Sequence, residues 1–303
     1  MKDIFNLSLL QNMIRTATPL ILAALGGLLT MQAGILNIGM EGMILLGAFF
    51  AVVGSYFFAS SAMGVGLAVI SGILIGLLFG IFVIELKSDE FVIGVAINIL
   101  GSGLTVFLLR TIFGVKGAFS SPDIIPLPDI NIEFLAKIPL LDAIFNNHSI
   151  FVYISWILVI IAYIFLFKTP MGYWLRAAGE SPQSLETAGI SAKKMKYISS
   201  ILCGILCGFA GAHLSLGYLT LFTENMSANK GFIALSVIIF GSYHPIKAFF
   251  AALLFGFFDA LGIRLQSIGI PSQFTQMIPY MATIAVLLIV AQKALQRRKS
   301  SEV

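Results

Sequence analysis

Residues 152–166 read Val152-Tyr-Ile-Ser-Trp-Ile-Leu-Val-Ile-Ile-Ala-Tyr-Ile-Phe-Leu166, and residues 278–290 read Ile278-Pro-Tyr-Met-Ala-Thr-Ile-Ala-Val-Leu-Leu-Ile-Val290. Both are nearly continuous apolar runs without the every-other-residue alternation of a barrel strand. Lipid offers the backbone no hydrogen-bond partner, so a spanning chain is either helical or a closed barrel. These runs select helices. Composition agrees: of 303 residues, 58% are hydrophobic and 11% charged, with a mean hydropathy of +0.99. A soluble domain is roughly 45–50% apolar and about 25% charged. So little charge cannot cover a water-facing surface, and the expected fold is an all-α, polytopic transmembrane helical bundle.

Apolar stretches approaching ~20 residues mark the spans. They are Ile14–Ala33, Gly39–Phe58, Ala62–Ile84, Phe91–Leu109, Ser149–Phe167, Tyr197–Gly217, Lys230–Tyr243, Ile246–Ile263 and Gln276–Ala291. About eight to ten spans are expected, in a single membrane domain over residues 1–303. The seventh stretch is short and opens on Lys230; proline breaks the run at His244-Pro245, so it reads as a half-helix paired with its successor. Leu77-Leu-Phe-Gly-Ile-Phe82 resembles Leu253-Leu-Phe-Gly-Phe-Phe258, a weak internal repeat of the kind that recurs in transporters.

The net charge of +4 reports topology rather than nucleic-acid binding. Of 18 Lys and Arg, five fall in residues 168–196 and four in 293–299. Cytoplasmic loops carry such an excess, so both segments are placed inside. Residues 110–149 carry three basic residues against Asp123, Asp129, Glu133 and Asp142, and contain Pro122, Pro126, Pro128 and Pro139. They form a long external loop, either a receiving surface for an outer partner or a passive connection. Counting back through nine spans puts the N-terminus outside, with Lys2 and Arg15 mildly opposing. Met1–Gln11 lacks a basic start followed by a long apolar core, so no cleavable signal peptide is expected.

Few residues carry chemistry. No Gly-x-x-x-x-Gly-Lys-Ser/Thr loop, His-Glu-x-x-His motif or nucleophile elbow occurs, which argues against an ATPase or an intramembrane enzyme. Cys203 and Cys207 read as small apolar residues at a helix contact, since a metal site needs more ligands. Gly72, Gly76 and Gly80 share one helix face, where small residues let backbones approach. Asn37 and Glu41 are one helical turn apart and can share a face. A carboxylate at membrane depth is costly and usually faces a cavity or a partner. Either the two line a translocation path, or they cap backbone groups at a break between helices. Asn98 faces that pathway or makes an interhelical hydrogen bond. His213 reads as a packing residue, and Asp259 and Arg264 as an ion pair or interfacial anchors. Glu224 and Asn225 fall in an outer segment that meets a delivery protein or stays solvated. Phe222 and Phe232 could stack on a base or face lipid.

The cytoplasmic segment Thr169-Pro-Met-Gly-Tyr-Trp-Leu-Arg-Ala-Ala-Gly-Glu-Ser-Pro-Gln-Ser-Leu-Glu-Thr-Ala-Gly-Ile-Ser191 contains a short helix, N-capped by Ser181, started by Pro182 and closed at Gly189. Its apolar face (Leu185, Ala188, Ile190) is small for membrane anchoring and suits a protein partner. The segment resembles the coupling loop of ABC permeases of the ribose, nucleoside and branched-chain amino acid importer family. The match is carried by Gly172, Arg176, Ala177, Gly179, Glu180, Ala188, Gly189 and Ile190; Ser181 stands where many relatives have Asn, and Leu185-Glu186 replaces a more usual Ala pair. Gly34-Ile-Leu-Asn-Ile-Gly-Met-Glu-Gly-Met-Ile-Leu-Leu-Gly-Ala48 is similar to the nucleoside-type branch at Asn37, Gly39, Glu41 and Gly42, and lacks the Asp-Leu-Ser-Val-Gly pattern of sugar importers. The resemblance runs roughly from Pro19 to Val290.

It implies a permease of the bacterial cytoplasmic membrane that imports nucleosides without binding ATP itself. Two cytoplasmic ATPase subunits would dock on the loop and supply the bound ATP. A second permease copy or homologue would complete the pathway, and an external substrate-binding protein would deliver the ligand. A simple-sugar importer of the same architecture and an ion-coupled secondary transporter are the alternatives.

Overall fold

The computed structural model describes residues 7–132 and 138–267, with positions 271, 277 and 281. The ninth expected span, Gln276–Ala291, and the basic segment 293–299 lie outside the described residues. Among the described residues, seven helices are long and apolar enough to cross a membrane, and Lys230–Phe240 is a shorter apolar helix. The chain is an all-α polytopic bundle.

The spans follow the apolar stretches with shifted ends. They are α1 (Leu7–Gln32), α2 (Met40–Phe58), α3 (Ser61–Gly80, continued by a π turn, Ile81–Glu85), α4 (Glu90–Phe113), α6 (Ile150–Lys168), α9 (Ala192–Ala212, continued by a π turn, His213–Tyr218) and α11 (Pro245–Ser267). The half-helix is α10 (Lys230–Phe240), and Pro245 opens its successor as expected. Helix α1 is the centre of the bundle, with its most apolar window 89% buried against 28% for α4 and for α6. It packs on α9, α10 and α11, while α2 packs on α3, α9 and α4.

The glycine stripe sets the α3–α9 contact. A Cβ on Gly76 would stand 2.5 Å from the Ser200 carbonyl oxygen, and Gly72 meets the Gly204 carbonyl even more closely. The two backbones touch because glycine meets glycine at Gly72–Gly204 and Gly76 meets the small Ser200, as small-residue packing in lipid requires. Of the two similar hexapeptides, residues 77–82 lie at the end of α3 and residues 253–258 in the interior of α11.

The segment expected to form the external loop, residues 110–149, is structured over its described part. It contains α5 (Pro139–Phe145) and three two-residue strands: β1 (Ala118–Phe119), β2 (Asp129–Ile130) and β3 (His148–Ser149). β2 pairs antiparallel with β3, and β1 pairs with β4 (Phe222–Thr223) from the segment after α9. Ser55 Oγ donates to the Ile125 carbonyl and accepts from the Ile125 N–H, both at 2.8 Å. Glu224 is partly exposed, accepts from the Gly117 N–H at 3.1 Å and lies 4.0 Å from Arg110. Phe222 is fully buried in an edge-on contact with Phe49. The opposite end of the bundle carries the Lys193–Glu85 ion pair and the segment after α6; its basic residues are those expected on the cytoplasmic side.

Candidate functional site

The break between α1 and α2 builds the site. Residues 33–39 leave helical geometry, Gly34 taking φ +74°, a left-handed turn that glycine adopts without a Cβ penalty. Asn37 therefore sits in this connector and not on a helix face with Glu41, which corrects the shared-face expectation: a four-residue spacing is one turn only where the chain is helical. Asn37 is buried; its Oδ1 accepts from the Gly39 N–H at 3.0 Å and its Nδ2 donates to Cys203 Sγ at 3.4 Å. Asn98, on α4, accepts from the Gly42 N–H at 2.8 Å and donates to the Ile38 carbonyl at 3.0 Å. Both side chains satisfy backbone groups exposed by the break, groups that lipid could not satisfy.

Glu41 opens α2 and reaches across to the start of α10. One carboxylate oxygen accepts from Ser227 Oγ at 2.6 Å and from the Asn229 N–H at 2.9 Å; the other accepts from the Gly231 N–H at 2.7 Å. The first N–H groups of a helix have no partner within it, and the positive end of the helix dipole favours an anion. Glu41 thus caps α10. With eleven residues, α10 is about 16 Å long, half of a ~30 Å hydrocarbon core, so this cap stands near mid-depth. Discontinuous helices ending at mid-depth are a transporter feature.

Between α2, α4 and α10 lies an open cleft of about 430 Å³. Its lining mixes polar residues (Glu41, Asn98, Ser102, Asn225 and Asn229) with apolar ones (Leu45, Val95, Ile99 and Phe232). Lys230 points away from it and pairs with Asp259 on α11 at 2.9 Å. Asp259 is therefore the partner of Lys230, and Arg264 donates to Ser8 Oγ at 2.8 Å. His213 is a satisfied packing residue: Nε2 donates to the Arg15 carbonyl at 3.2 Å, leaving Nδ1 to accept from Ser149 Oγ at 3.0 Å.

The cytoplasmic segment holds two helices where one was expected: α7 (Pro170–Glu180) and α8 (Pro182–Thr187). Thr169 caps α7, accepting from the Gly172 N–H at 3.2 Å with Pro170 behind it, whereas Ser181 makes no side-chain cap to α8 and bonds Ser184 Oγ at 2.7 Å instead. Gly189 takes the expected left-handed turn, φ +80°. Of the residues carrying the family match, Gly172 is pressed on the Phe165–Leu166 backbone and Gly179 on Gln32–Gly34, where a Cβ would lie 2.5 Å from the Gln32 carbonyl oxygen. Ala177 and Ile190 pack around the small core of Ala178, Leu185, Ala192 and Met195. Glu180, Ala188 and Gly189 are exposed, with Gln183, Ser184 and Glu186 beside them. Arg176 lies over the Phe167 and Tyr173 rings, each 4.9 Å from its guanidinium carbon. Phe167 in turn stacks on His244 of the α10–α11 turn at 5.2 Å.

The donors on Ser227, Asn229 and Gly231 escaped sequence reading because 186 to 190 positions separate them from Glu41. The only local signal was the break itself, a glycine-flanked polar residue between two apolar runs.

A helical bundle broken beside a polar mid-depth cleft, with a rigid helix pair at its basic end, is the architecture of a membrane permease. The chain belongs to the family described as the permease component of the branched-chain amino acid transport system, whose match covers residues 9–287. It is 36% identical to the guanosine ABC transporter permease protein NupQ of Bacillus subtilis, over 89% of this chain and 88% of that one. Identity to the nucleoside ABC transporter permease protein NupC of Lactococcus lactis is 35%, over 94% and 92%. The putative glucose ABC transporter permease protein TsgC13 of Haloferax volcanii is 31% identical, over 93% and 91%. No solved structure matches significantly. The chain is thus a multi-pass transport subunit of the inner membrane, of a class that works with ATPase and substrate-binding partners.

Proposed function

We propose that this permease imports nucleosides through the cleft between α2, α4 and α10. The observation that carries the reading is the occupancy of Glu41. Among the described residues it is the only ionisable group lining the cleft, and both its oxygens are already taken by three donors. A cleft of amides and a hydroxyl with no free charge suits an uncharged, hydroxyl-rich solute. A zwitterionic amino acid would bring two charges with nothing to pair them. Relatives named for guanosine and nucleosides support the nucleoside over the sugar. Asn37, Glu41 and Asn98 frame this path, the first and third by holding its broken helices.

In the same reading, two ATPase subunits bind ATP and dock on the exposed face of α8 and the residues around Gly189. A second permease copy or homologue completes the pathway, and an external binding protein delivers the substrate. Gly172 and Gly179 brace α7 against the bundle, so a pull on α7–α8 is not absorbed locally. Arg176 passes it through Phe167 and His244 to the inner end of α10, whose other end is held by Glu41. The site's affinity for substrate must differ between its inward and outward states, or no net movement results.

The test is uptake of labelled inosine by cells with and without the chain, competed by guanosine, uridine and ribose. Loss on deletion, with competition by nucleosides and not ribose, is expected; vanadate and not an ionophore should stop it. Unchanged uptake in cells lacking another carrier would overturn the nucleoside reading and favour the sugar.

A further inference from the structure

We infer that Phe232 is the base-stacking residue of the cleft, the side chain that gives it a preference for solutes carrying a flat heteroaromatic ring. The inference rests on the nucleoside reading above and adds to it the group that separates a nucleoside from a free sugar.

Three observations converge on this ring. It lines the cleft and is 38% exposed although it stands at the mid-depth end of α10. Among the described residues it pairs with no other aromatic ring. The rings near the outer end, by contrast, are consumed by one another, Phe113 stacking on Phe119 at 3.9 Å and Phe49 meeting Phe222 edge-on at 5.2 Å. Finally, its direction is fixed by its neighbours. Lys230 is bound to Asp259 on α11, and a residue two positions further along a helix points roughly 200° away. Gly231, between them, lies against the start of α2, where a Cβ would come within 2.6 Å of Glu41 Cα. Helix α10 is thereby pinned on one side by an ion pair and on another by backbone contact, and Phe232 is turned into the cleft.

The Lys230–Asp259 pair acts as the positioning device. Its side chains are 12% and 25% exposed, and ionisable residues at membrane depth are rare, paired and tied to pathways. The pair does not face the cleft, so its effect on substrate runs through the rotation of α10.

The chemistry of the wall fits the assignment. Every nucleobase offers a π-face, whatever its edge carries, and stacking on a protein ring tolerates different bases. A sugar offers none. Ser102, Asn225 and Asn229 line the same cleft as the ring, and Asn229 does not spend its side chain on capping its own helix. A carboxamide both donates and accepts, which suits a base edge or ribose hydroxyls.

The experiment uses cells expressing the intact transporter, with membrane levels and basal ATPase activity matched among variants, and reads the initial rate of labelled inosine uptake. Phe232→Leu is expected to lower it about fivefold to a hundredfold, while Phe232→Tyr, which keeps the ring, stays within about twofold of wild type. Photolabelling of these membranes with 8-azidoadenosine should mark the peptide containing residues 225–232, and Phe232→Leu should abolish that adduct. Asp259→Asn should weaken the same adduct, and the exchange Lys230→Asp with Asp259→Lys should restore it. Wild-type uptake with an unaffected Phe232→Leu variant, or equal loss in Phe232→Leu and Phe232→Tyr, would overturn the role of the ring and leave the nucleoside reading standing. A wild-type transporter that takes up no nucleoside would overturn both.

Discussion

Removing the Glu41 carboxylate should uncouple the mid-depth end of α10 from α2. Three donors converge on it: Ser227 Oγ and the Asn229 and Gly231 N–H groups, at 2.6, 2.9 and 2.7 Å. Hydrogen bonds to a charged group contribute about 1.5–3 kcal/mol each, and compensation of the α10 dipole about 0.3–1 kcal/mol more. The cleft is open, so water replaces part of what Glu41→Ala removes. The net cost to local order then falls below that sum, to roughly 3–5 kcal/mol. Glu41→Gln keeps one carbonyl oxygen and sets an amide NH2 against a donor, costing about 1.5–3 kcal/mol. Hydrogen exchange of the purified protein in nanodiscs reads this directly, because local opening free energy sets amide protection. At 1.4 kcal/mol per factor of ten, exchange at Asn229 and Gly231 should rise at least about a hundredfold in Glu41→Ala and about tenfold or more in Glu41→Gln. Exchange in the α3–α9 contact should not change. Wild-type protection at both amides in Glu41→Ala would refute the cap and the reasoning built on it. Raised exchange with undiminished uptake would keep the cap and remove Glu41 from the transport pathway.

Other perturbations test separate parts of the structure. Gly72→Ala forces a methyl group into the Gly204 carbonyl and should destabilise the protein by about 1–3 kcal/mol, read as a lower unfolding temperature. Gly66→Ala, on the same helix with nothing within 4 Å of the new Cβ, should be neutral or slightly stabilising. Arg176→Lys keeps the charge but loses the planar stack on Phe167 and Tyr173; uptake should fall severalfold while ATPase activity of the assembled transporter persists, and equal loss of both would point to failed assembly instead. His148 in the external loop has its pKa lowered from the ordinary 6.5, first by burial and then by Arg15, against the raising effects of the Ala143 carbonyl and Asp129. Its folded form therefore holds fewer protons than its unfolded form below that value, so loop stability is full above about 6.5 and falls as pH drops. Limited proteolysis of the loop should accelerate between pH 7.5 and 5.5, and His148→Gln should flatten that response.

Much of this protein is legible in one dimension. Transfer of a backbone into lipid depends on the length and polarity of consecutive residues, so eight of the nine apolar stretches reappear as α1 to α4, α6 and α9 to α11, including the half-helix ended before Pro245. The Gly72–Gly76–Gly80 stripe announced close packing because its spacing is that of a helix face. Glycine and proline likewise marked the turn at Gly189. The residues that matter for transport were visible only as isolated polar exceptions. Asn37 and Glu41 stood out because they interrupt apolar runs, but their spacing misled: the chain between Ala33 and Gly39 is not helical, and its geometry depends on Gly34 meeting Gly179 and on Asn98 reaching over from α4. The 110–149 segment and α7 were underestimated for a similar reason, since their short elements are held by contacts from distant segments, β1 by β4 and Gly179 of α7 by Gln32–Gly34. Helices α1 and α4 are both long and apolar enough to cross a membrane, yet one is central and the other peripheral. In water, polarity would have told the faces apart; in lipid the solvent is as apolar as the core, and association is decided by packing and by where the few polar groups find partners. Sequence alone therefore determined the eight described apolar helices and the class of the protein, while only the tertiary structure decided that Glu41 would meet the start of α10 and that Phe232 would line the cleft.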